Sequence, residues 1–546
     1  PATLIPLQPL GKMWNHTYNS YITEVVGDVK RPDDYRVIVA LPNSGFHIFK
    51  KDGGGFKAVT EGVYNTLKRP TADKFTIKTK NQIVYTYQKF NGTDDKFPFV
   101  LTRIQDRNGN TLVVKYEDTQ NPKTENYKRI REVVGTSGRK LQFRYHSNSD
   151  LVKDITDPLG RKVAYTYNAE NEPQLVSFAD AKNQTTIYNY GADAEKDLLM
   201  TITLPKGNTV TNTYEGKKLV SSQTNGNQPT QYTYDRNYGQ TANDDFTKTT
   251  IVDPNNQTTV VDYNKNGNPN HIKKDNNTNV AITYNATQTN KPSGIDVNGK
   301  DAGLTYDAMG NVLSVSLPMG VSFSYEYNGR NDITKYTDAK GKNYTYSYNS
   351  NGNLTQTSTP RGSTSFNVNS KGLVISVTNP TNITTSYSYD SYGNVTKTNA
   401  PEGITTKASY DVISRLLSFT NPNGQKMTYQ YDANDNLLEE TFNNKTTKYN
   451  FDPNDNMTKI INANNGATTM AYDFENDFLT SVNFGSATDS YTYFDDGKVK
   501  TYKNPKGAIF NYSYDAEGRL STVSTSGDTV TYGYDTHNNI TDITNS

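Results

Sequence analysis

Two stretches of the chain carry oxygen ligands at the spacing of a calcium loop, Asp432-Ala433-Asn434-Asp435-Asn436 and Asp452-Pro453-Asn454-Asp455-Asn456. A calcium loop of that kind continues with Gly at place six and a bidentate Glu at place twelve. Here those places hold Leu437 and Asn443, and Met457 and Ala463. Tight turns use the same Asp and Asn side chains to accept backbone N–H bonds. That reading accounts for every one of them, so no metal ligand is assigned. Gly294-Ile295-Asp296-Val297-Asn298-Gly299-Lys300 imitates a phosphate loop. However, Asp301 stands where a magnesium-binding Ser or Thr belongs, and no helical pattern follows to offer its N-terminus to phosphate. No nucleotide or other cofactor is assigned.

Acid–base chemistry finds no better footing. The five histidines, His16, His47, His146, His271 and His537, lie far apart, and His537 occupies a variable turn place. Neither a G-x-S-x-G elbow nor H-E-x-x-H occurs, which leaves acyl transfer and zinc proteolysis without a starting residue. A carboxylate pair for glycoside hydrolysis cannot be singled out where every unit carries an acid for its turn. No catalytic residue is assigned, and the expectation is a chain that is not an enzyme, with a glycosidase or lyase as the weakest alternative. The lone Trp14 suits either a sugar platform or packing over the first strands, and packing is the favoured reading.

Composition agrees. Of the 546 residues, 33% are AVILMFWYC, and exchanging the 41 Tyr for the 38 Gly leaves about 32% apolar, against about 45–50% in ordinary soluble domains. A thick aliphatic core is not expected. Lys+Arg 57 against Asp+Glu 56 gives a net charge of +1, with 11% aromatics, so disorder driven by charge is disfavoured. So is nucleic-acid binding, which needs a basic face. The absence of cysteine excludes disulfides and thiol chemistry and fits secretion. No apolar run is long enough to span a membrane. The chain opens at Pro1 without a leader pattern, so a processed or excised fragment is expected.

The turn residues belong to a counted repeat, Tyr-x-Tyr-Asp/Asn-x-x-Gly/Asp/Asn-Asn, seen in YSYNSNGN ending at Asn353, YSYDSYGN at Asn394 and YQYDANDN at Asn436. The last aromatic of each unit falls at Tyr306, Tyr327, Tyr348, Val368, Tyr389, Tyr410, Tyr431, Phe451, Tyr472, Tyr493, Tyr514 and Tyr534, always 20 or 21 residues apart. Upstream, Tyr145, Tyr167, Tyr190, Tyr214, Tyr234, Tyr263 and Tyr284 continue it at 20 to 29. Two turn signals alternate with two short strands, so each unit predicts a β-hairpin and its connection. In the first turn Asp390, Asp432 or Asp515 leads as an Asx acceptor, and Gly393, Gly352 and Gly310 are expected at positive φ. The second turn, as in Asn421-Pro422-Asn423-Gly424, Leu317-Pro318-Met319-Gly320 and Asn504-Pro505-Lys506-Gly507, matches a type I turn. Tyr429 and Tyr431 share one strand face and are expected to ladder onto Tyr410 and Tyr389. Helical periodicity is almost absent. Residues 1–95 read as a β-rich opening and capping segment, with strands at Tyr35 to Ala40 and Phe46 to Lys50. Residues 96–546 form the repeat region, which stops midway through the unit begun at Tyr534, as a fragment truncated mid-repeat would.

These motifs resemble the YD-repeat or Rhs family, which includes bacterial Rhs toxins, shell subunits of insecticidal toxin complexes, the teneurin ectodomain and wall-associated protein A of bacilli. The cysteine-free, Asn- and Thr-rich style is most similar to the wall-associated branch. The resemblance covers about 450 residues. It implies an all-β fold of tandem hairpins, a long antiparallel sheet spiralled into a hollow shell or barrel-like cocoon. About 18 two-stranded units at about 4.8 Å per strand give roughly 170 Å of sheet, a circle about 55 Å across, wide enough for a 100-residue cargo of about 13 Å radius of gyration. The family's core-end junction is absent, and Asp157-Pro158-Leu159-Gly160 leads straight into another strand, so no autocleavage residue is carried over. The resemblance implies a non-catalytic shell fragment of a secreted, cell-wall-associated toxin of contact-dependent interbacterial competition. Its partner would be its own C-terminal toxin domain as cargo, a nuclease in the wall-associated branch. The alternative is an adhesive module that binds cell-wall carbohydrate or a target-cell receptor. A monomer is expected.

Overall fold

The computed structural model describes residues 9–10, 12, 14–25, 35–41, 45–90, 99–118, 128–169, 172–224, 228–236, 246–274, 278–515, 518–535 and 539–546. The expected boundary near residue 95 and His537 lie outside them. The described residues hold 48 strands of a long antiparallel sheet and three short 3-10 turns, with no α-helix. Two compact units are present. The first comprises Pro1–Asn183 and Leu304–Lys426, the second Gln184–Gly303 and Met427–Ser546.

Within each unit the repeat has one construction. In the first, Thr384–Tyr389 runs antiparallel to Val395–Asn399 through Ser386↔Asn399, Tyr387↔Thr398 and Ser388↔Lys397, then slips by one residue so that Tyr389 faces Val395. The same bulge recurs at Tyr327, Tyr348 and Tyr410, and in the second unit at Tyr472, Tyr493, Tyr514 and Tyr534. Side chains alternate across the sheet. In Ser322–Tyr327 the Ser and Glu positions are exposed, while Phe323, Tyr325 and Tyr327 are half-buried on the other face.

The first turn obeys its residues. Asp390 N–H donates to the Asn394 carbonyl at 3.0 Å and Gly393 N–H to the Asp390 carbonyl at 3.2 Å. The Asp390 carboxylate accepts the N–H groups of Tyr392 and Asn394 at 2.8 and 2.9 Å. This is a type I turn followed by a left-handed residue, the common three-residue hairpin loop. Gly393, Gly352 and Gly310 have φ of 89°, 87° and 66°, as expected. Asp435 and Asp455 fill the same place at 72° and 64°, which explains the calcium-like spelling as turn chemistry.

The second turn divides into two kinds. Asn421 repeats the Asp390 pattern, its side chain accepting from the Asn423 and Gln425 N–H groups, and Asn504 does likewise. The expected type I geometry fails at Leu317-Pro318-Met319-Gly320, where Met319 lies at φ 65°, ψ 21°. Glu402 after Pro401 is similar, at φ 61°, ψ 23°. Leu317 and Ala400 offer no side-chain acceptor to hold the central residues right-handed, so Pro sets the first angle and a non-glycine takes the left-handed one. Met319 is fully exposed and loses nothing but strain on replacement. Met319→Asn is therefore expected to raise stability by about 0.5–1 kcal/mol, read as a higher denaturant midpoint at unchanged slope.

The hydrophobic core lies at one end of the first unit. Tyr21–Val25, Arg36–Ala40, Phe46–Asp52 and Gly55–Ala58 form a meander, and Tyr21–Val25 also pairs with Phe99–Gln105. Ile22, Val37, Val39, Phe49, Phe75, Ile77, Tyr87 and Leu101 are fully buried there, and Val114, Ile130, Phe143 and Val152 join from the following hairpins. Trp14 packs against this cluster. Among the described residues, no hydrophobic side chain beyond Leu175 is fully buried.

Candidate functional site

Each of the four described histidines meets a different neighbour. The His16 ring meets Phe143 of the N-terminal core, His47 faces the Asn65 amide at 3.3 Å, His146 lies 3.2 Å from the Tyr165 carbonyl, and His271 sits 3.2 Å from Asp262. Burial lowers the His47 pKa below its usual value. The phosphate-loop mimic is a hairpin. Asn298 and Gly299 take φ of 53° and 82° between Pro292–Val297 and Asp301–Tyr306, the Asn-Gly signature of a two-residue turn. No group of three or more His, Asp or Glu able to hold a metal ion occurs among the described residues.

What the repeats do assemble is a tyrosine-bearing face. Pairing between successive hairpins ends early. Val374–Thr378 meets Thr384–Tyr389 only at Ser376↔Ser386, Val377↔Thr385 and Thr378↔Thr384. Beyond that point Tyr389 reaches across, and its hydroxyl donates to the Val374 carbonyl at 2.6 Å. Tyr327 does the same to Val312 and Tyr348 to Ile333 at 2.9 and 2.7 Å. In the second unit Tyr472, Tyr493, Tyr514 and Tyr534 serve Met457, Leu479, Val499 and Leu520 at 2.7–3.1 Å. A buried carbonyl without a partner is costly, so the phenol supplies what the ladder leaves out. Burial raises the pKa of Tyr389, as it does for Tyr327 and Tyr348. Tyr389→Phe is expected to cost about 1 kcal/mol, seen as roughly fivefold faster amide exchange around residues 374–395.

The ring ladders run elsewhere than expected. Successive terminal tyrosines such as Tyr389 and Tyr410 are two strands apart, about 9.6 Å, and their cross-strand partners are Val395 and Leu416. Between hairpins, rings meet through aromatics earlier in the strand and on the intervening strand. Tyr336 lies 5.2 Å from Tyr325 and 5.5 Å from Tyr344, and in the second unit Tyr502 lies 5.3 Å from Tyr491 and 5.6 Å from Phe510. Tyr306 ends Asp301–Tyr306, and Tyr429 and Tyr431 lie on Lys426–Tyr431, where they face Glu440 and Leu437. Asp432 and Asp515 lead Asx turns, Asp515 also holding Arg519 at 2.7 Å.

Turns distant in sequence dock on one another within each unit, a feature that the 21-residue period does not announce. In the first unit Arg107 donates to Asp332 and to the Gly352 carbonyl at 3.0 and 2.6 Å, and Asn353 donates to Asn108 at 2.7 Å. Arg139 stacks 4.1 Å over Tyr392 and donates to Ser414. In the second, Lys206 lies between Asp477 and Asp452 at 2.6 and 3.2 Å, and Asn454 donates to Asn208 and Asp477. Burial works against the charge of Lys206, but the two carboxylates outweigh it and hold its pKa above the ordinary lysine value.

A family model described as Teneurin YD-shell matches residues 183–367 and 250–480, together more than half of the chain, and one described as RHS Repeat matches residues 514–546. The chain belongs to the YD-repeat (Rhs) family. No curated protein matches the sequence of this YD-repeat chain. Among solved structures, TcdB2-TccC3 without its hypervariable C-terminal region is 11% identical at a TM-score of 0.41, covering 97% of this chain and 42% of that one. The Tc holotoxin pore of Photorhabdus luminescens is 12% identical at 0.39, covering 94% and 32%. The YD-repeat chain thus spans less than half the length of either. No helix among its described residues is long and apolar enough to cross a membrane.

Proposed function

We propose that this YD-repeat chain is a length of wall from a toxin shell, whose tyrosine-bearing face holds a polypeptide cargo made as a C-terminal toxic domain. Secretion, attachment to a cell wall and use in contact-dependent competition between bacteria belong to the same reading. Residues 1–95 act in it as the capping segment and residues 96–546 as the wall, without catalysis of their own. One observation carries the reading. The face that bears Ile130, Phe143 and Val152 is buried within the N-terminal core in the early hairpins, whereas its counterparts Ile333, Val374, Leu479 and Val499 are only half-covered. A sheet with one half-covered aromatic and aliphatic face and one hydroxyl-rich face suits a wall that meets non-native polypeptide on one side and water on the other.

Protease challenge of the repeats expressed together with the downstream polypeptide tests this. The expected result is a protected polypeptide that becomes cleavable once the wall is unfolded by denaturant. Cleavage at the rate of the isolated polypeptide contradicts it. Retention of the chain on cell-wall polysaccharide without any protection would favour the adhesive alternative.

A further inference from the structure

Trp14–Ser20 precedes the first strand of the meander and meets the apolar face of the early hairpins, and the described residues Pro9, Leu10 and Lys12 come before it. Pro9 accepts from Val152 N–H at 2.9 Å, Lys12 N–H donates to the Pro173 carbonyl at 2.7 Å, and Leu101 N–H donates to Ser20 at 3.1 Å. Lys12 also pairs with the exposed Glu172 at 2.5 Å. Trp14 is its apolar anchor, with Leu10 before it. In the middle lies His16, its ring 5.5 Å from Phe143. The residue as a whole is half-buried, but its Nδ1 is cut off from solvent and has no hydrogen-bond partner, and the ring's surroundings, not the backbone's, set how it titrates.

The ring lines a small cavity with Lys128, Arg129 and Asp150. The two cations come from the strand Lys128–Gly135 and are held by acids of their own, Lys128 by Asp118 and Arg129 by Glu117 at 2.8 Å. Asp150 comes from the turn that follows the next strand and is 5% exposed. Tyr116 and Tyr145 also line the cavity. They donate to the Leu101 and Ile130 carbonyls at 2.8 and 2.6 Å, and phenols remain neutral throughout the acid range. A proton on His16 would therefore add a third cation beside Lys128 and Arg129, at a buried Nδ1 that finds no acceptor, whereas lifting the segment returns the ring to water.

We propose that Trp14–Ser20 is an acid-released strap, and that protonation of His16 lifts it and uncovers the apolar face at Ile130 and Phe143. Burial lowers the His16 pKa from 6.5 to about 4. The docked strap thus prefers the neutral ring. Docking is complete above pH of about 6.5, and the opening equilibrium rises about tenfold per pH unit down to about 4, below which it levels. Such a device would give the capped end of the sheet an apolar docking face in acid alone.

Trp14 is the sole tryptophan and lies in the strap, so its emission reports docking directly. In the whole chain, a reversible red shift is expected to develop between pH 6.5 and 4 with unchanged far-ultraviolet dichroism. His16→Gln should abolish the shift, and His47→Gln should retain it. Constant emission down to pH 4, or the same transition in His16→Gln, overturns the proposal. Should His16→Gln prove undocked at pH 7.5, the wild-type imidazole titration followed by nuclear magnetic resonance decides. It must share the Trp14 midpoint, below 6.5. A ring that titrates at or above 6.5, as it would if Asp150 took up its charge, or independently of Trp14, overturns the proposal equally.

Discussion

Phe75→Ala is expected to destabilise the N-terminal end of the first unit by about 3–5 kcal/mol, while Val499→Ala in the second unit costs about 1 kcal/mol. Both remove apolar strand side chains, one before the repeats and one within them, but their surroundings differ. Phe75 has no solvent exposure and meets Phe99 edge-on at 4.8 Å and Phe56 at 5.8 Å, so its removal leaves a cavity between layers. Val499 is half-buried in a single layer, where water and neighbouring side chains close the gap. Denaturation of each variant, followed by Trp14 emission for the core and by amide exchange for residues 488–514, separates the two. Equal losses would mean that the repeats possess a second buried layer.

Gly372→Ala is expected to cost about 2–3 kcal/mol, more than Gly424→Ala by about 1 kcal/mol. Both glycines hold the left-handed place of an Asn-led turn, at φ of 86° and 78°, so the backbone strain of alanine, about 1–2 kcal/mol, is common to both. The difference lies in what stands beside them. A Cβ at Gly424 enters open space, whereas at Gly372 it falls on the Asn108 amide. Asn108 would have to move and give up the bond from Asn353. The excess loss at Gly372 therefore measures the docking of one turn on another far along the chain. Equal midpoints for the two variants in urea would show that this docking contributes nothing.

These contrasts mark which parts of the molecule can be read from its sequence. Hairpins, the Asx turns led by Asp390 and Asn421, and the positive φ of Gly393 all depend on residues within five positions, and their spelling repeats. The Leu317 turn departs from type I because Pro and Gly occur in both turn types, and what distinguishes them is the missing Asn acceptor. The 21-residue period aligns Tyr429 and Tyr431 with Tyr410 and Tyr389 and so suggests a ladder, but a unit has two strands, which sets successive terminal tyrosines such as Tyr389 and Tyr410 apart. The hydroxyl contact to Val374 follows from where pairing stops, which no period encodes. Arg107 meeting Asp332, and Lys206 meeting Asp477, join turns separated by more than 220 residues. Nothing in a repeat says which of its copies will meet. The core around Phe49 and Phe75 was equally hidden, since residues before the repeat obey no count.

Face-resolved photo-cross-linking tests the proposed wall most directly. A photoreactive phenylalanine is placed at Tyr325 or Tyr336 on one face, or at Ser324 or Thr345 on the other, in the protein expressed together with the proposed C-terminal cargo. Tyr325 and Tyr336 lie 5.2 Å apart on the half-buried face, and Ser324 is exposed on the opposite one. The expected result is adducts to that cargo from Tyr325 and Tyr336 and none from Ser324 and Thr345. Adducts only from the hydroxyl face, or none from any of the four in a folded protein, would contradict a wall that holds its cargo against the tyrosines.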